Sequence, residues 1–95
     1  MTDNAEEIKS YLDEGNRLKE WPSKRNKAKS QQLVLEYMAS KFSHDAKYTE
    51  KGVNALLNQY HTFNDPAMLR REMVERKLLA RMRDGSAYWR PTVSE

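Results

Sequence analysis

Arg70 and Arg71 stand side by side in "NDPAMLRREM", and arginine carries a planar fork of five N–H donors that fits a phosphate or a carboxylate. The setting of each residue separates the two partners. Asp65 suits a helix N-cap, and Pro66 suits the first helical position, where its missing N–H costs nothing. Leu69 and Met73 then form an apolar i, i+4 pair that marks the inward stripe of a helix running to about Lys77. Ala67, Arg71 and Glu75 point roughly the other way, while Arg70 borders the stripe. A helix entering a DNA groove would present Asn64, Ala67, Met68 and Arg71 as base-edge candidates. The plain alternative for Arg71 is a solvated face with an i, i+4 pair to Glu75, worth only about 0.2–0.5 kcal/mol. For Arg70 the plain reading is the favoured one: its stem packs, and its head pairs with a nearby carboxylate or a carbonyl.

Other chemistry finds little support. The chain has no cysteine, which excludes disulfides, thiol nucleophiles and cysteine-based zinc sites. His44 and His61 stand alone, without ligand spacing for a metal. The three glycines are far apart and form no phosphate loop, and no serine or threonine lies in a nucleophile motif. Tyr88 and Trp89 read as packing residues rather than stacking platforms. The expectation is a protein that is not an enzyme and uses no cofactor and no metal.

Charge is distributed unevenly over the 95 residues, whose net charge is +3. Residues 1–20 hold six carboxylates against three bases, residues 21–41 five bases against Glu36, and residues 65–83 six bases against three acids. Two basic blocks therefore follow an acidic arm. Lys24, Arg25, Lys27 and Lys29 crowd the start of a helix, where cations oppose the helix dipole. Local stability does not explain them; phosphate contact or solubility would. No apolar run approaches a membrane span, and the acidic start is wrong for a secretory signal. A cytoplasmic protein with no membrane partner is expected.

The elements that must position these side chains follow from periodicity. Residues 1–20 read as an acidic arm or helix with a thin stripe of Ile8, Tyr11, Leu12 and Leu18, packing on the domain, on a partner or on a second copy. Trp21-Pro22 breaks the chain. A helix from about Lys27 to Phe42 buries Leu35, Met38 and Phe42, with Leu33 and Val34 widening the face. "SHDAKY" reads as a polar connection. Thr49 caps a helix carrying Val53, Leu56, Leu57 and Tyr60. Asp84-Gly85 signals a hairpin in which Arg81 faces Tyr88 and Ala80 faces Trp89. Of its two faces, the one with Ala80, Met82, Ala87 and Trp89 reads as buried. The predicted fold is mainly α with a small β-hairpin: a winged helix-turn-helix over residues 21–90, with a loose tail at 91–95.

Over roughly Trp21 to Arg90 the chain resembles a bacterial domain family of unknown function. The resemblance is carried by Tyr48-Thr49-Glu50, Asp65, Leu69-Arg70-Arg71, Asp84-Gly85 and Tyr88-Trp89-Arg90. The family is winged-helix-like and occurs alone or behind arsenic-repressor-type regulators, which implies transcription regulation. Two departures stand out. Gly52 replaces the glutamate that would complete a capping box with Thr49, and Lys77 stands where the family usually has glycine.

The expected function is that of a small DNA-binding regulator of transcription. Helix three would lie in the major groove, Arg81 and Arg83 of the wing would meet the backbone, and the Lys24–Lys29 block would hold further phosphates. The alternative is an adaptor of the same fold that binds protein and no DNA, through the arm and an exposed Met68 and Val74.

Overall fold

Three helices carry the apolar stripes. In the computed structural model, which describes residues 8–23 and 27–91, α1 spans Ala28–Ala39, α2 Glu50–Tyr60 and α3 Pro66–Glu75. The starts of α2 and α3 are set by side chains, whereas α1 begins without a side-chain cap. Thr49 Oγ1 accepts the Gly52 N–H at 2.9 Å, and Asp65 Oδ1 accepts the Met68 N–H at 3.2 Å, with Pro66 opening α3. Val34, Leu35 and Met38 from α1, Val53 and Leu57 from α2, and Leu69 and Met73 from α3 form the core with Phe42 and Leu79. Burying a side chain of this kind stabilises by roughly 1.5–3 kcal/mol. Leu69 and Met73 together therefore set the rotation of α3, and Arg71 is left exposed.

The hairpin is part of a three-stranded antiparallel sheet. β1 is Lys47–Tyr48, β2 Ala80–Arg81 and β3 Tyr88–Trp89, in the order β1-β3-β2. The polar connection "SHDAKY" thus ends in a strand, too short to show alternation in sequence. Ala80 faces Trp89 and Arg81 faces Tyr88, as expected, and the Met82 N–H donates to Ala87 O at 2.9 Å. The faces are reversed from expectation. Tyr88 is buried, whereas Trp89 is half-buried under the Lys47 ammonium at 5.7 Å and Met82 is 47% exposed. The Tyr88 ring faces the helices against the largely buried Arg70 guanidinium, while the Lys47 ammonium lies over the Trp89 ring. At the tip, Gly85 takes the left-handed conformation (φ 78°) and its N–H closes a turn onto Met82 O. Ser86, through its hydroxyl and its N–H, holds the Asp84 carboxyl below the ordinary carboxylate range. Its contribution to the turn is present at neutral pH and lost as pH falls through that lowered value.

Among the described residues of the arm, Ile8 is α-helical and Lys9–Tyr11 form a 3-10 turn; the rest of the expected arm or helix, residues 1–7, lies outside the described residues. The described part is built into the domain: Ile8 and Leu18 lie in the same core as the three helices. The Leu18 N–H donates to Tyr60 O at 2.7 Å, and the Thr62 N–H donates to Leu18 O at 2.9 Å. Between them Asp13 accepts the backbone N–H groups of Gly15 and Arg17, and the Arg17 N–H is the main reason its carboxyl is held low. Next to Leu18 lies His61, the buried polar side chain that joins α2 to α3. Its Nδ1–H donates to Leu57 O at 2.7 Å, and its Nε2 accepts the Asp65 N–H at 2.9 Å. Both ring nitrogens are satisfied by the neutral Nδ1–H tautomer, which this pattern of partners assigns.

The end of α3 bears on one of the two sequence departures. The Leu78 N–H donates to Met73 O at 2.8 Å and the Lys77 N–H to Val74 O at 3.1 Å, a Schellman pattern that places Lys77 at φ 65°. A side chain in that conformation costs about 1 kcal/mol that glycine avoids. Lys77→Gly is expected to raise the thermal midpoint by a few degrees, and a melt with an unchanged or lower midpoint would contradict it.

Candidate functional site

A cleft of about 360 Å³ lies between α3, the start of α2 and the hairpin, lined by Glu50, Arg70, Arg71, Val74, Glu75, Arg81 and Tyr88. Three elements build it. Arg71 and Glu75 come from the outward side of α3, opposite Leu69 and Met73. Arg81 enters as the cross-strand partner of Tyr88, since paired residues project to the same side of a sheet. Glu50 stands at the first turn of α2, on the far wall.

The two adjacent arginines have different environments. The Arg70 side chain is 13% exposed; its Nη1 donates to Asn54 Oδ1, its Nη2 lies 3.6 Å from Glu50 Oε2, and its guanidinium sits 6.0 Å from the Tyr88 ring centroid. The Tyr88 hydroxyl completes the group by donating to Glu50 Oε1 at 3.5 Å. Arg70 is thus the packed and paired arginine that its position beside the stripe predicts. Arg71 is exposed and, among the described residues, makes no hydrogen bond or ion pair. The pair with Glu75 that local spacing allows is not formed; the i, i+4 ion pair of this helix joins Arg76 to Glu72 at 3.2 Å. Arg81 donates through Nε to Met82 O at 3.2 Å and through Nη2 to Arg83 O at 3.1 Å, so the turn itself holds its guanidinium in place.

The other sequence candidates fall in several places. Asn64 is exposed in the turn before α3 with φ 54°, Ala67 is half-buried, and Met68 is half-buried against the core. Val74 is likewise packed rather than exposed, because α3 turns both it and Met68 toward the core's edge. Arg83 is exposed at the hairpin turn. Lys24 and Arg25 lie outside the described residues. Lys27 borders a separate depression with Tyr11, Glu20, Pro22 and Ser23, and Lys29 is exposed on the first turn of α1. Neither of these two lysines lines the cleft. The cleft therefore unites Arg71 with Arg81 and leaves Lys27 and Lys29 apart.

Sequence reasoning missed Glu50, Asn54 and Tyr88 as partners of Arg70. One signal was available: Glu50 and Asn54 are i, i+4 on α2, an acceptor pair on one helix face. Among the described residues no group of three or more His, Cys, Asp or Glu side chains is placed to hold a metal ion. No helix among them is long and apolar enough to cross a membrane.

The chain belongs to the family DUF2087, described as uncharacterized proteins conserved in bacteria, whose model matches residues 17–90. Comparison with curated proteins and with solved structures returned no match.

The division between the arginines is testable by stability alone. Arg70→Ala removes a ring contact and leaves Asn54 without its donor, so a loss of about 1–3 kcal/mol is expected. Half of Glu50 is exposed, so its pairing adds little to that figure. Arg71→Ala should change stability by less than about 0.5 kcal/mol. Denaturant melts that rank the two variants in the opposite order would contradict this assignment.

Proposed function

We propose that this DUF2087 protein is a winged helix-turn-helix protein that binds duplex DNA in the bacterial cytoplasm and regulates transcription. The element order α1-β1-α2-α3-β2-β3, with β3 between its partners, supports the fold reading. So does the tight connection through residues 61–65 from α2 to α3, the helix that such folds insert in the major groove. The resemblance to domains found behind arsenic-repressor-type regulators supports the regulatory role. On this reading the protein is a binding protein and not an enzyme.

The observation that carries the proposal is the convergence of Arg71 from α3 and Arg81 from the hairpin on one cleft, while Arg70 beneath them is held by its own partners. A winged helix meets DNA with these same two elements. Arg71 is the strongest candidate for a base edge or a phosphate, because Met68 and Ala67 are half-buried and offer less reach. Arg81 and Arg83 would meet the flanking backbone, and Lys27 and Lys29 would act at a distance from the cleft. The adaptor reading, drawn on the acidic arm with Met68 and Val74, has less apolar surface to use, since Ile8 and Leu18 lie in the chain's own core and Met68 and Val74 pack against it. A homodimer joined through the arm's stripe meets the same limit.

The test is a salt series of binding to several duplexes. The wild-type affinity should fall steeply as salt rises, because phosphate contacts release counterions. If Arg71 holds a phosphate, Arg71→Ala should weaken binding alike across sequences and make the salt slope shallower by about one. If it reads a base, discrimination at one position should relax by roughly 1–3 kcal/mol. Wild-type protein with no duplex affinity even at low salt would overturn the proposal.

A further inference from the structure

From the same cleft we infer that Arg71 and Arg81 form a discrete site for one phosphoryl group, able to hold a free phosphate as well as a backbone phosphodiester. The donor inventory supports it. A guanidinium has five N–H donors. Arg71 spends none among the described residues, and Arg81 spends two of its five on the turn carbonyls of Met82 and Arg83. Those two bonds fix the Arg81 plane while its remaining N–H groups stay free, which lowers the cost of ordering it around a ligand. Arginine forks bind phosphate oxygens by parallel charge-assisted bonds.

The two carboxylates on the cleft wall do not cancel this charge. Glu50 is paired with Arg70 and accepts the Tyr88 hydroxyl, so that pair is internally neutral. Among the lining residues Glu75, which makes no ion pair among the described residues, remains against Arg71 and Arg81; Asp84, whose carboxyl the Arg81 charge helps to hold low, lies outside the lining at the hairpin tip. The cleft therefore holds one net positive charge beyond its internal pair, which suits a single phosphate. Glu75 is the group that tunes its strength. Where the phosphate comes from duplex backbone, the inference rests on the function proposed above; where it comes from a free phosphate ester, it stands without it.

The experiment titrates the full, isotope-labelled chain with inorganic phosphate, followed by amide shifts, against sodium chloride at matched ionic strength. Saturable shifts confined to residues 70–75 and 80–88 are expected. Arg71→Ala and Arg81→Ala should each weaken phosphate binding by roughly tenfold. Glu75→Gln should strengthen it, while Lys19→Ala, an equal loss of charge away from the cleft, should leave it unchanged. Should Arg81→Ala fail to fold, Arg71→Ala carries the same comparison. In a parallel arm the variants are titrated with duplex. A slope lowered by about one in each arginine variant, with phosphate competing for the duplex, assigns the site to backbone phosphate. Phosphate binding that persists while duplex affinity is absent or untouched by the variants assigns it to a free phosphate ester, and the DNA reading of this face falls. Shifts that chloride reproduces, or a Lys19→Ala loss equal to that of Arg71→Ala, overturn the inference. If that occurs while Arg71→Ala still weakens duplex binding, the DNA reading survives alone.

Discussion

The constraint on which the cleft depends is the placement of one guanidinium, Arg70, beneath the hairpin. Its charge cannot be given up by deprotonation, so removal from water must be offset by partners. Those partners come from two elements: Asn54 and Glu50 on α2, and the Tyr88 ring on β3. Satisfying one side chain of α3 thereby fixes α2 and the hairpin against it. The consequence for the surface is immediate. Tyr88 turns inward to cover Arg70, its cross-strand partner Arg81 comes to the same side, and the next residue along α3, Arg71, is rotated outward beside it.

A second polar node sets how α3 arrives. His61 bonds to α2 through Leu57 O and to the N-cap residue of α3 through the Asp65 N–H, with the Phe63 ring edge-on at 4.8 Å. The arm closes over this node, since Leu18 bonds to Tyr60 and Thr62 on either side of it. The arm therefore supports the turn that aims α3, and its apolar residues share the core on which that helix rests. Structure and surface are linked through backbone groups that a buried turn must satisfy.

Elements that depend on local physics were legible in the sequence. The period of Val53, Leu56, Leu57 and Tyr60, the caps Thr49 and Asp65, and the pairing set by Asp84-Gly85 all appear where spacing places them. Arg70 was legible too, because a long cation beside an apolar stripe must pair or snorkel. Features that depend on distant contacts were not. Which face of the hairpin is buried turned on Tyr88 meeting Arg70, not on the larger apolar count of the Trp89 face. Lys47–Tyr48 is too short to alternate, and the burial of Ile8 and Leu18 arises from contacts far along the chain. The convergence of Arg71 with Arg81, and the separation of Lys27 and Lys29 from them, exists only in three dimensions.

The α3–hairpin face, organised on Arg70, is the surface proposed above to meet duplex DNA. The most direct measurement is amide-shift mapping of the labelled full chain during titration with duplex DNA at low salt. The account predicts that the largest changes fall within residues 64–75 and 80–88, with the arm between residues 8 and 20 nearly silent. Changes concentrated on the arm, or none at saturating duplex, would contradict it.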